Sequence, residues 1–301
     1  MAYSRLANPR ETQAVLARFG MATKHRLGQN FLVNDEVIGK IVNLAELSGD
    51  DVVLEVGPGI GTLTVAMLGR ARAVCSIEAD RELEAVLAET CADDSEKFAL
   101  IMGDALRVGP ADVEAALAGL GLRDGDSATM PNKFVANLPY QVAATLILKF
   151  FQEFASLERA CVMVQAEVAD RICAAPGNKT YGAYTAKLAL LARPTGRFEV
   201  GPGNFMPPPH VDSAVVRLDR APMADPVTGE PIDAARAARV AAVIDAAFAQ
   251  RRKTIRNSMG ANGFDKAALD AAFAACGISP TARAETLSPE DFVRLEGALS
   301  Q

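Results

Sequence analysis
The stretch Asp51-Val52-Val53-Leu54-Glu55-Val56-Gly57-Pro58-Gly59-Ile60-Gly61-Thr62-Leu63-Thr64 decides the class of fold. Its first half is apolar and rich in β-branched residues, the pattern of a strand buried on both faces. Three glycines then turn the chain into a segment with helical spacing. Glycine lets a backbone come close to a ligand, and the start of a helix presents unpaired N–H groups. Strand, glycine turn and helix together make the first βα unit of a nucleotide-binding sheet. The dinucleotide fingerprint would place a glycine at position 62, where Thr62 stands. The turn alone is therefore a weak signal.

The segments downstream strengthen it. A second strand, Ala73-Val74-Cys75-Ser76-Ile77, ends at Glu78, 21 residues beyond Gly57. An acid at that strand tip suits a pair of ribose hydroxyls. After a helix over 81–90, Phe98-Ala99-Leu100-Ile101-Met102 reads as strand three and runs into Gly103-Asp104. Asp104 reads equally well as a ligand-facing carboxylate or a turn residue. A helix over 112–120 and a loop over 121–132 lead to Phe134-Val135-Ala136, which delivers Asn137-Leu138-Pro139-Tyr140 and then an apolar helix over 142–151. Alternating β and α segments predict a parallel sheet, with Gly57, Glu78, Asp104 and Asn137 along one edge. The Asn137 carboxamide offers an acceptor and donors side by side. Pro139 fixes its own backbone and holds Leu138 extended, and Tyr140 offers a flat π-face. In isolation this is also an ordinary strand-to-helix turn. At the end of strand four it suits a planar base carrying an amino group.

Further along, residues 160–165 read as strand five, 197–200 as strand six and 214–218 as strand seven, with helices over 166–175 and 181–191. The loop 203–213 carries Pro207, Pro208 and Pro209; it either holds Phe205 out toward a ligand or is a rigid crossover with Phe205 in the core. Residues 219–232 form a linker, after which only helical patterns remain: 232–250, 265–276 ending at Gly277, and a last helix opened by Ser288-Pro289-Glu290-Asp291. Two domains are expected, 1–222 (residues 1–22 being a leader with a short helix over 11–19) and 223–301. Ahead of the first strand lie the basic, glycine-kinked Lys24-His25-Arg26-Leu27-Gly28-Gln29-Asn30-Phe31-Leu32 and a helix capped by Asn34. In the second domain Arg251, Arg252, Lys253 and Arg256 put four positive charges in six residues. That is either a solvated face or a phosphate contact.

Composition narrows the class. The 301 residues carry a net charge of −6 and are 23% charged, which describes a globular chain and argues against a uniformly basic nucleic-acid binder. Five cysteines, odd in number and without C-x-x-C spacing, read as reduced thiols. With only His25 and His210, a histidine-based metal site is not expected. No apolar run reaches the ~20 residues needed to span a bilayer, and the charged N-terminus lacks the apolar stretch of a secretion signal. A cytoplasmic protein without metal or membrane partner is expected.

The combination of Gly57-x-Gly59-x-Gly61-x-Leu63-Thr64, Glu78, Asp104 and Asn137-Leu138-Pro139-Tyr140 resembles the S-adenosylmethionine-dependent adenine-N6 methyltransferases. Gln29-Asn30-Phe31-Leu32, Phe205-x-Pro207-x-Pro209-x-Val211-x-Ser213 and Phe248-x-x-Arg251-Arg252-Lys253 narrow the resemblance to the small-subunit (16S) ribosomal RNA adenine N6,N6-dimethyltransferases, from about Lys24 to the C-terminus. The resemblance implies an α/β fold: a Rossmann-like class I methyltransferase sheet of seven strands, the seventh antiparallel, with a small C-terminal all-α domain. It implies S-adenosyl-L-methionine as cofactor and small-subunit rRNA in an immature 30S-type particle as partner, for a monomer that dimethylates two adjacent adenosines near the RNA's 3′ end. By the same resemblance Asn30, Leu32, Gly57, Gly59, Glu78, Asp104 and Asn137 hold the cofactor. Asn137, Leu138, Pro139, Tyr140 and Phe205 form the base pocket, and Arg251, Arg252, Lys253 and Arg256 touch RNA. Two positions depart from the family pattern: Ala166 stands where a cation is usual and Ala183 where an Arg is frequent, removing two potential phosphate contacts. The large-subunit resistance methyltransferases and the DNA adenine methyltransferases share the Asn-Leu-Pro-Tyr turn. An assembly factor acting mainly by binding is a further alternative.

Overall fold
The computed structural model describes residues 2–21, 30–124 and 127–300; the basic stretch Lys24 to Gln29 lies outside them. Its centre is a seven-stranded sheet: β1 (Val52–Val56), β2 (Ala73–Glu78), β3 (Phe98–Met102), β4 (Lys133–Asn137), β5 (Arg159–Gln165), β6 (Ala192–Val200) and β7 (Ser213–Arg220), in the order β3-β2-β1-β4-β5-β7-β6. β1 to β5 pair in parallel, and β7 runs antiparallel to β5 with Ser213 opposite Gln165 and Asp219 opposite Arg159. The expected sheet is thus present.

The strand interiors are buried throughout β1 and β2, as near-continuous apolar runs require when helices cover both faces. On one face α2 (Asp35–Ala45), α3 (Thr62–Leu68) and α4 (Leu83–Thr90) share a core with Val53, Val74, Val135 and Met163. On the other, Phe134 of β4 meets Phe150 of α6 (Ala143–Glu153) edge to face, ring centroids 5.0 Å apart. Asn34 caps α2 by accepting from the Glu36 N–H, with Asp35 and Glu36 in the first turn. The Asp35 carboxylate also accepts from the backbone N–H groups of Tyr3 and Ser4, tying the leader and its helix α1 (Pro9–Arg18) to the sheet unit.

β6 begins five residues before the expected 197. Arg193-Pro194-Thr195-Gly196 carries turn chemistry, yet β6 is the outermost strand of the sheet, where proline withholds no ladder bond that matters. A two-stranded antiparallel ladder pairs Phe31 with Met206 and Leu32 with Phe205, so two motifs 170 residues apart in sequence are neighbours in space.

The chain divides into two compact units: Met1–Ala169 with Pro194–Asp219, and Asp170–Arg193 with Arg220–Gln301. The helix α8 (Ala183–Leu188) therefore belongs with the C-terminal helices, and the chain passes between units three times, not once near 222. The second unit has its own core, in which Tyr181 and Phe248 pack with Ile244, Phe273, Phe292 and Val293. Its helices are α9 (Ala234–Phe248), α10 (Ile255–Ala261), α11 (Lys266–Cys276) and α12 (Pro289–Leu299). Gly277 ends α11 at φ 66° and Ser288 caps α12, both as read from sequence. α10, capped by Thr254, was hidden under the charges beside it.

Candidate functional site
The direction of connection reverses between β1 and β4. The chain lays β2 and β3 to one side of β1 and then returns to place β4 on the other. At such a switch point two strand ends diverge and leave a crevice, where open α/β sheets take ligands. Gly57 follows β1 and the Asn137–Tyr140 turn follows β4. Gly57 sits at φ 69°, a conformation that L side chains avoid, and a Cβ there would lie 3.5 Å from the Pro139 ring. The two turns are in contact.

The crevice is a cavity of ≈ 470 Å³. Asn30, Leu32, Gly57, Gly59, Glu78, Asp104, Asn137, Leu138, Pro139 and Tyr140 all line it, so the residues expected to hold cofactor and base converge on one site. Among its described lining residues there are three carboxylates, Glu55, Glu78 and Asp104, and no Lys, Arg or His.

Each carboxylate is placed differently. Glu78 is buried at the tip of β2, where Oε1 accepts from the Asp80 N–H at 2.9 Å and Oε2 from the Gly59 N–H at 3.3 Å. Burial pushes its pKa up, against the pull of those N–H donors. Asp104 stands at the rim, exposed, with Oδ1 accepting from the Leu106 N–H and the more exposed Arg107 guanidinium 3.9 Å away. Glu55, in β1 itself, is 1% exposed; its Oε2 accepts from Ser76 Oγ at 2.6 Å and Thr64 Oγ1 at 2.8 Å. Burial raises it to about 7, opposed by those two hydroxyls and reinforced by the Glu78 charge. Sequence reading did not single out Glu55. The available signal was an acid inside an otherwise apolar strand, where a carboxylate is normally excluded.

In the β4 turn, Asn137 Nδ2 donates to the Asn30 carbonyl at 3.3 Å. Among the described residues no donor is bonded to Asn137 Oδ1 or to the Leu138 carbonyl. The Leu138 N–H is engaged by the Met163 carbonyl at 3.1 Å. Two acceptors are thereby left at the cavity. Tyr140 is half-buried, and its hydroxyl shares a 2.7 Å hydrogen bond with Ser213 Oγ at the start of β7. Ser213 is the last residue of the Phe205-to-Ser213 motif, and this orienting contact was not read from sequence.

Phe205 corrects an expectation. It is buried among Leu32, Ile38 and Val200 and does not line the cavity. The Leu32–Phe205 register turns it into the core, so of its two sequence readings the packing one describes it.

In the second unit Arg251, Arg252 and Lys253 are exposed, with Arg251 Nη2 donating to the Lys179 carbonyl. Arg256 is held by Asp270 through bonds of 2.5 and 2.7 Å, so its charge is already compensated. None of the five cysteines forms a disulfide; burial pushes Cys75, Cys91 and Cys161 up to about 12, which leaves those thiols inert. No group of three metal-ligating side chains occurs among the described residues, and no helix of theirs is long and apolar enough to cross a membrane.

The lining fits a nucleoside that carries positive charge: among the described residues it has an acid at the β2 tip, carboxylates without a competing cation in the wall, and a buried Thr62 hydroxyl with no hydrogen-bond partner. Comparison with known proteins agrees. The family model described as ribosomal RNA adenine dimethylase matches residues 20–301. A ribosomal RNA small subunit methyltransferase A of Thermobifida fusca is 41% identical over 292 residues, 97% of this chain and 96% of that one. Among solved structures, the 23S rRNA methyltransferase ErmE superposes with a TM-score of 0.64 at 27% identity, over 90% of this chain and all of that one. A dimethyladenosine transferase of Plasmodium falciparum reaches 0.68 over 88% and 95% of the two chains; at 22% identity it supports the fold alone.

Proposed function
Since the chain belongs to the ribosomal RNA adenine dimethylase family, we propose that it uses S-adenosyl-L-methionine to dimethylate the N6 amino groups of two adjacent adenosines in the 3′-terminal hairpin of small-subunit rRNA. It acts as a monomer on an immature 30S-type subunit in the cytoplasm and serves small-subunit biogenesis. One observation carries the reading: the Asn137–Tyr140 turn opens onto a cavity whose described lining residues include three carboxylates and no cation.

When bound, S-adenosyl-L-methionine supplies an electrophilic methyl group on a sulfonium. Glu78 accepts from the ribose hydroxyls and Asp104 from the cofactor's adenine amino group, while Asn30, Leu32, Gly57 and Gly59 complete the walls. Glu78 and Asp104 favour the cationic ligand electrostatically. The target adenine leaves its stack to reach the cavity. Its exocyclic nitrogen is a poor nucleophile because its lone pair is delocalised into the ring. Asn137 Oδ1 and the Leu138 carbonyl each accept one of its N–H bonds, draw the nitrogen toward tetrahedral geometry and aim the lone pair. The anchored Asn137 amide group and the engaged Leu138 N–H keep both acceptors fixed, so the work is positioning and polarisation. Tyr140, held by Ser213, stacks on the base, an interaction of ~1–3 kcal/mol.

On the second unit, Arg251, Arg252 and Lys253 contact phosphate, and the Arg256–Asp270 pair contributes less. Likeness to ErmE keeps a 23S substrate as the second reading. Labelled methyl donor offered in parallel to unmodified small subunits, large subunits and DNA separates them. Label is expected in small-subunit rRNA; label confined to large subunits or DNA overturns the substrate.

A further inference from the structure
Glu55 lies at the cavity but has no part in the chemistry above. It is a carboxyl removed from water, held by two hydroxyls on a single oxygen, in a wall whose described residues include no cation. The groups that face it can be named element by element. β2 brings Ser76 and the acid Glu78, and α3 brings Thr64 and the unpartnered Thr62 hydroxyl. Beyond β3 stands Asp104, with Arg107 outside it at the rim. The β4 turn brings Asn137 and Tyr140, and Cys91 after α4 has a thiol pushed up by burial first and by the Glu55 charge in a lesser part. Nothing in this set stabilises a negative Glu55 except the two hydroxyls. Adding a positive charge to the cavity is the change to which such a group responds most strongly.

We propose that Glu55 couples cofactor binding to its own proton: it is ionised when the cavity holds the cationic methyl donor and neutral when the cavity holds the uncharged thioether left after transfer. On donor entry the Glu55 O–H bond breaks, its electron pair stays on the carboxylate, and the proton goes to solvent. Once the methyl has left, the sulfonium charge is gone and the carboxylate recovers a proton from solvent. The donor is thereby favoured over its by-product by a group tuned to the working pH, since burial, reinforced by the Glu78 charge and opposed by the two hydroxyls, holds Glu55 at about 7. The inference rests on S-adenosyl-L-methionine being the ligand of this cavity.

The test is calorimetric titration of the full chain with S-adenosylmethionine and with S-adenosylhomocysteine at pH 6, 7 and 8, in two buffers of different ionisation enthalpy, for wild type and Glu55→Gln. Titration of the ligands' own amino groups is common to both proteins and cancels in the comparison. Expected for the wild type is release of about half a proton on donor binding at pH 7, and donor affinity rising up to ~10-fold more from pH 6 to 8 than in Glu55→Gln. By-product binding shows no such difference. Equal proton release and parallel pH profiles in the two proteins would overturn the coupling. Absence of binding of either ligand to wild type would instead remove the cofactor assignment. If Glu55→Gln does not fold, Ser76→Ala decides: it removes a hydrogen bond that favours the charged carboxylate, so the pH midpoint of donor affinity must move upward. An unmoved midpoint rejects the proposal.

Discussion

Along the edge where the parallel strands begin, carboxylates are closed off by cations. Asp51 accepts from Asn132 and Ser48 and lies 3.9 Å from Lys133 Nζ. Arg159 and Arg217 clasp both Glu46 and Asp219 at 2.6–3.0 Å, and Thr195 adds a hydroxyl to Asp219. Along the opposite edge, Glu55 and Glu78 have no cation within ion-pair distance among the described residues, and Glu78 accepts only backbone N–H bonds from its neighbours. One sheet thus carries a satisfied edge and an expectant one. The acidities follow. Burial works against Asp219, yet the hydrogen bonds of Arg217, Arg159 and Thr195 outweigh it and hold the carboxyl at about 2, whereas burial prevails at Glu55. A satisfied edge adds stability, and the unsatisfied edge stores a demand that a cationic ligand can meet.

That contrast can be attacked from either side. The largest effect is expected at the expectant edge. Asn137→Ala should lower the rate of methyl transfer by about 10²–10³-fold while leaving cofactor affinity near that of wild type, measured by single-turnover transfer and by calorimetry. Normal turnover would sink the acceptor role. Next, Glu55→Gln should change how stability depends on pH. Between pH 4.5 and about 7 the unfolded chain releases the Glu55 proton and the folded one keeps it, so wild-type stability falls across this window and levels off above it. The variant has no such proton, and its advantage should grow by roughly 3 kcal/mol from pH 4.5 to 8, read from denaturant midpoints. A smaller effect of opposite sense is expected at the satisfied edge. Asp219→Asn should cost about 2 kcal/mol at neutral pH, with donor affinity untouched. Wild-type stability from this group is present above pH 3.8 and lost as pH falls toward about 2. Smallest is Ser213→Ala, which frees Tyr140. A few-fold rise in KM for RNA with kcat nearly kept is expected; an equal fall in kcat and kcat/KM with KM unchanged would point to a role beyond positioning.

Much of this arrangement was legible beforehand, for physical reasons. Apolar runs mark β1, β2, β4, β5 and β7 because those strands are buried, and β3 because even this half-buried edge strand is apolar throughout; strand ends carrying Gly57, Glu78, Asp104 and Asn137 align when the connections are right-handed and parallel. What stayed hidden depended on long-range placement. The exposed edge strand β6 tolerates Pro194 and Gly196, so its sequence imitates a turn. Phe205 has two plausible homes, and only its register opposite Leu32 chooses between them. Residues 170–193 carry no compositional break, yet they pack with the C-terminal helices. Glu55 was passed over because a strand pattern registers its apolar neighbours and not the one residue that violates them.

The short ladder between Phe31–Leu32 and Phe205–Met206 has a consequence for how the protein comes into being. One wall of the cavity is laid down within the first tenth or so of synthesis, but the strand that pins it emerges more than 170 residues later. Contacts of such sequence separation form late. A nascent chain that already has β1 to β5 therefore owns a glycine turn, both buried acids and the Asn137 turn, yet lacks the clasp on its front wall. Closure of that wall waits for the strand at Phe205–Met206, and a product ending before Phe205 lacks both this clasp and β7, the strand that joins β6 to the rest of the sheet.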